Sequence, residues 1–252
     1  MALALFSAAS FAQISTGEPT TKVYKTGNRA EAGDFGLYLG VKTDLFRDLF
    51  DSGKSIAALP LINLKYMATD HIEARLGIEF YQTTAKINGD LVDNGGSVMS
   101  RKGNTDFLLY PGFAYHFSRH NILDVYAGVE LPIGWNSVSS KSEATYEGET
   151  YSEAVTKRSF VVGLGAFIGL QAYVGKLPLA VGLEYGISSQ FDTGLKYKHE
   201  VVDGNNKQTW FTPDAESFKN TGVLGSGEFD KLAAKKGKIG NQVRITLTYY
   251  FK

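Results

Sequence analysis

Apolar residues recur at every second position in eight separate segments of this chain. A period of two belongs to a strand with one apolar face; a helix would repeat its apolar stripe at three and four. In 34–43, Phe35, Leu37, Leu39 and Val41 alternate with Gly36, Tyr38, Gly40 and Lys42. In 58–68, Ile62, Leu64 and Tyr66 alternate with Asn63, Lys65 and Met67. The clearest segment is 72–87, where Ile72, Ala74, Leu76, Ile78 and Phe80 face away from Glu73, Arg75, Gly77, Glu79 and Tyr81. In 105–117, Phe107, Leu109, Phe113, Tyr115 and Phe117 oppose Asp106, Tyr110, Gly112 and His116. The segment 123–135 sets Leu123, Val125, Ala127, Val129, Leu131, Ile133 and Trp135 against Asp124, Tyr126, Gly128, Glu130 and Gly134. Phe160, Val162, Leu164, Ala166, Ile168 and Leu170 follow, against Gly163, Gly165, Gly169 and Gln171. Then come Leu179, Val181, Leu183, Tyr185 and Ile187 against Ala180, Gly182, Glu184, Gly186 and Ser188. The last segment sets Val243, Ile245, Leu247, Tyr249 and Phe251 against Gln242, Arg244, Thr246, Thr248 and Tyr250.

These segments are longer than the roughly 5–6 residues usual for strands of a soluble sandwich. Their polar face mixes glycine with a few charges, as the crowded inside of a narrow barrel requires. Connection lengths alternate as well. Those at 69–70, 118–121 and 175–178 are short, whereas 44–57, 88–104, 137–159 and 193–241 are long. Short turns on one side and long loops on the other mark a membrane barrel. The expected fold is therefore all-β: an antiparallel, eight-stranded, up-and-down transmembrane β-barrel over 33–252, with both termini periplasmic. Tyr66, Tyr115, Phe117, Tyr249 and Phe251 fall near the short-turn end, and Phe80, Phe107, Trp135, Phe160 and Tyr185 towards the other, forming two aromatic girdles. Within 193–241, alternation continues through Leu195, Tyr197, His199 and Val201 to Asp203-Gly204-Asn205-Asn206, and strand-like residues return at 207–212. That predicts a hairpin beyond the lipid, then a less ordered arm, with the last strand starting near Gln242.

Composition narrows the classes. Lys plus Arg and Asp plus Glu stand at 26 each, which argues against a nucleic-acid partner. Cysteine is absent, which excludes a disulfide scaffold or a thiolate metal site. No run of about 18 apolar residues predicts a membrane helix. The opening MALALFSAASFAQ has an apolar stretch followed by small residues, with Ser10-Phe11-Ala12 as a cleavage pattern before Gln13. It reads as a signal peptide over 1–12, shortened at its start because a basic segment is missing, with a periplasmic lead over 13–32.

With these residues in view, the chain resembles small Gram-negative outer-membrane β-barrel proteins of the OmpA/OmpX type. Val243, Ile245, Leu247, Tyr249 and Phe251 resemble the terminal signal read by barrel-assembly machinery, although Lys252 follows the aromatic where such proteins usually end on it. The resemblance implies an outer-membrane address and contact with outer-membrane lipid, lipopolysaccharide and, through 243–251, the assembly machinery. It implies no catalytic site. It also implies neither a peptidoglycan-binding domain after the last strand nor a plug domain before the first.

Three sets of residues are candidates for chemistry. The inner-face charges Lys42, Lys65, Glu73, Arg75, Glu79, Asp124, Glu130, Glu184 and Arg244 are expected to pair as a network closing the lumen, since isolated buried ions are costly. The alternative is a narrow small-solute pore lined by the same charges. His116-Phe117-Ser118 with Glu130 resembles the arrangement of the lipid A deacylases, but Arg119 and His120 replace that family's flanking residues. Strand parity also turns His116 inward, away from lipid. His71 and His199 stand alone, and Gly163-Leu164-Gly165 with Gly169 lies inside a strand where no phosphate loop forms. The third set is the long loop: Trp210, Phe211, Phe218 and Phe229 with Lys231, Lys235, Lys236 and Lys238 suit an extracellular ligand or lipopolysaccharide phosphate, or else an ordered cap. A short amphipathic turn is expected at 44–51. No cofactor and no metal are expected. The function expected is non-enzymatic: structural or surface-contact, with the pore as alternative and the hydrolase third.

Overall fold

The structure, a computed structural model, describes residues 29–42, 61–92, 95–117, 122–146, 148–218 and 227–251. The alternating segments become one antiparallel sheet of eleven strands. In chain order these are β1 (Phe35–Lys42), β2 (Leu61–Met67), β3 (Ile72–Asp90), β4 (Ser97–His116), β5 (Leu123–Glu130), β6 (Ile133–Tyr146), β7 (Glu149–Tyr173), β8 (Leu179–Thr193), β9 (Lys196–Asp203), β10 (Asn206–Pro213) and β11 (Lys235–Phe251). Most neighbours in sequence pair with one another, and β11 pairs with both β8 and β1. The pairings therefore run from β1 round to β8 and β11 and back to β1 as a closed ring.

The strand count differs from the expected eight for two local reasons. Pro132 has no N–H to give the ladder, so the fifth segment is split into β5 and β6. Its register carries through the break: Leu131 N donates to Pro111 O and Gly163 N to Pro132 O. The second reason is a bulge. Phe160 pairs with Thr193, but Lys157 pairs with Tyr197, so the β8–β9 side carries one extra residue against β7. Gly194 fills that place at φ 77°, and a Cβ there would collide with the Arg158 carbonyl. The bulge turns β9 along the upper half of β7, and β10 folds back on it through the tight turn at Gly204-Asn205. The expected hairpin is present in that register.

Other expectations are corrected. The connections at 88–104 and 137–159 are mostly strand: β3 runs to Asp90, β4 starts at Ser97, and β6 passes to β7 between Tyr146 and Glu149. The last strand begins at Lys235, not near Gln242, because Lys235 to Asn241 pair with Thr193 to Ile187 of β8. Lys235, Lys236 and Lys238 thus belong to a strand and not to a loose arm. Phe80, Phe107, Trp135 and Phe160 form one register row across β3, β4, β6 and β7. Tyr185 is not at that rim. It stands opposite Ile168; the row meets Thr193 on β8, and Phe191, opposite Val162, lies two residues below it. The segments 1–28, 44–51 and 118–121 lie outside the described residues.

Burial is inverted relative to a soluble domain. Lys65, Glu73, Arg75, Asp124, Glu130, Glu184 and Arg244 are buried, whereas Leu64, Phe113, Leu164, Ile168, Leu183 and Leu247 are exposed. Tyrosine rings fill the interior beside inward glycines. The Tyr126 ring lies over Gly169, its cross-strand partner, and the Phe167 ring over Gly128. A Cβ at Gly169 would overlap that ring, whose hydroxyl donates to Glu184 Oε1 at 2.9 Å. Gly169→Ala should therefore cost about 1–3 kcal/mol by overpacking. Gly89→Ala, with open space around the site, should stay within about 0.5 kcal/mol. Urea unfolding of the refolded protein, followed by tryptophan emission, makes the comparison. Equal stability of the two variants would mean the Tyr126 ring is not seated there.

Candidate functional site: a buried charge network

The inward positions of β2, β3, β4, β5, β8 and β11 bring their charges to one axis. Alternation sets this, because each strand turns every second side chain inward. Glu73 and Arg75 are two apart on β3 and meet directly: Arg75 Nε and Nη2 donate to Glu73 Oε1 at 2.9 and 2.6 Å. Lys65, across the ladder from Arg75, places Nζ 3.1 Å from Glu73 Oε2. Arg75 Nη1 reaches across the ring to Glu184 Oε1 at 2.9 Å. Tyr38 and Tyr126 donate their hydroxyls to the same carboxylate at 2.7 and 2.9 Å. Arg244 makes a two-pronged bond to Glu130, Nη1 to Oε2 at 3.0 Å and Nη2 to Oε1 at 2.6 Å, and stands 3.7 Å from Glu184 Oε2. The planar guanidinium suits this geometry, and its charge makes each bond stronger than a neutral one.

The chain of contacts continues towards the short-turn end. His116 lies with Nδ1 2.6 Å from Asp124 Oδ2 and Nε2 3.3 Å from Glu73 Oε2. Gln171 donates to Asp124 Oδ2 at 2.9 Å, and Arg29 Nη2 stands 3.1 Å from Asp124 Oδ1. Aromatic faces line the cations: Arg75 sits 4.3 Å from the Phe167 centroid and Lys65 5.0 Å from that of Tyr38.

Of the expected set, the structure brings together Lys65, Glu73, Arg75, Asp124, Glu130, Glu184 and Arg244. Glu79 instead accepts the Tyr110 hydroxyl at 2.9 Å. The side chain of Lys42 lies outside the described residues. The carboxylates at His116 are Asp124 and Glu73, not Glu130, and Ser118 is outside the described residues. Arg29 escaped the sequence reading because it precedes the first strand. The available signal was Asp124, an inward acid for which no strand supplied a cation.

At the other end, the residues after β10 are packed. Trp210 stacks on His199, ring planes 6° apart, and Phe211 forms a bridge with Phe229. Lys196 donates to Leu232 O and lies over the Phe211 ring. Gly194 N and Leu195 N both donate to Ala234 O. Trp210 and Phe211 are thus half-buried, while Lys231, Lys235, Lys236 and Lys238 are exposed. Asp214 ties this cap down, accepting from Lys157 Nζ and Ser217 Oγ, each at 2.9 Å. Burial alone would push the Asp214 carboxyl up, but Lys157 and Ser217 hold it below its ordinary value. Lys157 is raised against its own burial by the same contact.

Two measurements follow. Removing one partner of the Arg244–Glu130 pair strands a buried charge, so Arg244→Met should cost about 3–5 kcal/mol. The double variant with Glu130→Met should cost less than the sum of the single changes, as read by a double-mutant cycle in urea. Additive losses would mean the pair is not coupled. For the cap, a depressed carboxylate stabilises fully above its unfolded value of about 3.9 and loses this as pH falls through the lower folded value. The raised Lys157 stabilises fully below about 10.4 and loses this as pH rises through its folded value. Trp210 emission in a background with Trp135→Phe and His199→Gln, which removes the ionisable ring stacked on Trp210, should hold steady between these limits and change beyond each. Asp214→Asn should abolish the acid limb.

No family model matches the chain, and no curated protein sequence does. Among solved structures it is similar to a major outer membrane protein from Thermus thermophilus, at 14% identity and a TM-score of 0.37, over 87% of this chain and 100% of that one. It is also similar to CarO2 from Acinetobacter baumannii, at 11% identity and a TM-score of 0.34, over 88% of this chain and 100% of that one. At these scores neither likeness carries an argument about function, which rests on the chain's own geometry.

Proposed function

We propose that this chain is a non-enzymatic, eight-stranded up-and-down β-barrel of the Gram-negative outer membrane, with its lumen closed by charge pairing and an external cap that serves surface contact. The inverted burial carries the reading: ionic groups are inside and a continuous apolar surface is outside. In water that surface would favour aggregation; in lipid it is the required exterior. Ring closure supports it too, since a membrane-spanning sheet must leave no open edge. Counting β5 and β6 as one interrupted stave, and β9 and β10 as a branch above the ring, gives eight staves. A barrel of that size is just wide enough for its side chains to fill.

The apolar band has the right height. Phe107 to Phe117, along β4 and one residue past its end, covers about 33 Å along a strand, or about 25 Å vertically at the usual tilt. Aromatic pairs rim it: Phe107 with Trp135 at one edge, Phe35 with Tyr66 and Tyr249 with Phe251 at the other. We place the short-turn rim, with Phe35 opposite Phe251, in the periplasm, and read 243–251 as the segment presented to the assembly machinery. For surface contact the exposed Lys231, Lys235, Lys236 and Lys238 are the better candidates; Trp210 and Phe211 are engaged within the cap.

Val129 faces outward at mid-band opposite Phe113 and Ala166. Val129→Arg should cost about 2–4 kcal/mol in lipid vesicles. The folded protein should migrate faster than its boiled form on a denaturing gel and pass little current across a planar bilayer. Stable folding without lipid or detergent would contradict the membrane reading. Steady large conductance would favour the narrow-pore alternative instead.

A further inference from the structure

On the outward side of the strands above the aromatic row lies a line of like charges. Lys86 of β3 is the register partner of Arg101 of β4, and Arg101 is the partner of Lys141 of β6. Register partners share a face, and even positions on β3 and odd positions on β4 and β6 are those of Phe80, Phe107 and Trp135. The three cations therefore continue the lipid-facing side. All three are exposed. Like charges directly opposite one another across a ladder are destabilising. Here there are two such contacts in succession, and the intervening pairs, Gln82–Thr105–Ser137 and Thr84–Gly103–Ser139, are uncharged.

Counter-charge within the described residues is small. Lys141 pairs with Glu143 at 2.7 Å, both partly exposed, and among the described residues no ion pair involves Lys86 or Arg101. The row meets Ala154 on β7, and Glu200 beyond it is held by its own lysines, Lys207 at 2.9 Å and Lys198 at 3.2 Å. Closer to the band, Arg158 stands two residues above Phe160 on the same outward face, opposite Ser137.

Height selects the anion. Six residues separate Phe80 from Lys86, about 20 Å along the strand and roughly 15 Å above the aromatic row at the usual tilt. A simple phospholipid headgroup layer is only about 5–8 Å deep. A ligand reaching this row from the membrane must carry phosphate well above the acyl boundary. Such a ligand is a phosphorylated glycolipid.

Resting on the outer-membrane reading above, we propose that Lys86, Arg101 and Lys141 form a docking row for phosphate groups in the saccharide layer of lipopolysaccharide, with Arg158 beneath it at headgroup depth. The anion relieves the mutual repulsion of the row, and multivalent phosphate meets several cations at once.

The test uses the full chain refolded in detergent and titrated with purified lipopolysaccharide carrying a phosphorylated core. The triple variant Lys86→Gln, Arg101→Gln, Lys141→Gln should bind at least about tenfold more weakly, with a flatter salt dependence. Dephosphorylated lipopolysaccharide should bind wild type and variant alike. Phosphatidylglycerol vesicles should take up both equally, because their headgroups lie below the row. Unchanged lipopolysaccharide affinity of the triple variant would overturn the proposal. So would equal wild-type binding of dephosphorylated lipopolysaccharide, or a dependence on the row with phosphatidylglycerol. A triple variant less stable than wild type without any lipopolysaccharide would show that the row is neutralised within the chain, which also overturns it. Failure of the wild type to enter vesicles at all is a different outcome: it removes the membrane reading itself.

Discussion

The pairing of β1 with β11 is the constraint on which the rest of the molecule depends. Eight residue pairs from Phe35–Phe251 to Lys42–Arg244 convert a sheet into a ring. Once the ring is closed, every strand has an inside and an outside, and alternation assigns each side chain to one of them. A register slip of one residue would exchange the two sets. It would carry Arg244 away from Glu130 and put Ile245 in its place. The ion pairs thus act mainly as a penalty on wrong registers, since each pair broken by a slip leaves a buried charge unpaired.

The crowding inside explains the glycines and the rings together. A small ring leaves no room for large side chains at every inward position, so Tyr126 lies over Gly169 and Phe167 over Gly128. Tyr126 in turn flanks Arg75 and Lys65, and it and Tyr38 donate their hydroxyls to Glu184. Carboxylates that would be costly if bare each meet several donors, as Glu184 does with Arg75, Tyr38 and Tyr126. On the membrane reading, the apolar exterior gains its stability from lipid, and the interior needs only to be complete.

Much of this was legible because a period of two needs no homologue to be seen. Parity alone placed Lys65, Glu73, Arg75, Glu130, Glu184 and Arg244 on one face, and the structure buries all of them. What parity lacks is partnership. Which carboxylate meets which cation depends on the stagger between strands, and Arg29 reaches Asp124 from outside any strand. Parity also fades where both faces are polar. The upper parts of β3, β4, β6 and β7 are rich in Thr, Ser, Lys and Gly, so they read as loops although the ladder continues through them. Lys235 to Asn241 read as an arm for the same reason; only pairing with β8 makes them strand. The cap could be read only as one of two alternatives, because its tie-points join residues distant in sequence, Asp214 to the Lys157 side chain and Ala234 O to the N–H groups of Gly194 and Leu195.

The chain has no cysteine, so single reporters can be introduced anywhere without removing a native thiol. The most direct test of the central claim places a spin label at each position from Leu164 to Gln171 of β7 except Gly165 and Gly169, where no side chain fits, in protein reconstituted into vesicles. Collision with oxygen, which partitions into lipid, and with a water-soluble nickel chelate is then measured. Alternation is expected, with oxygen contact highest at Leu164, Ala166, Ile168 and Leu170 and low at Phe167 and Gln171. Nickel contact at Leu164 and Ile168 equal to that of an exposed loop, or oxygen contact without alternation, would contradict a lipid-facing exterior.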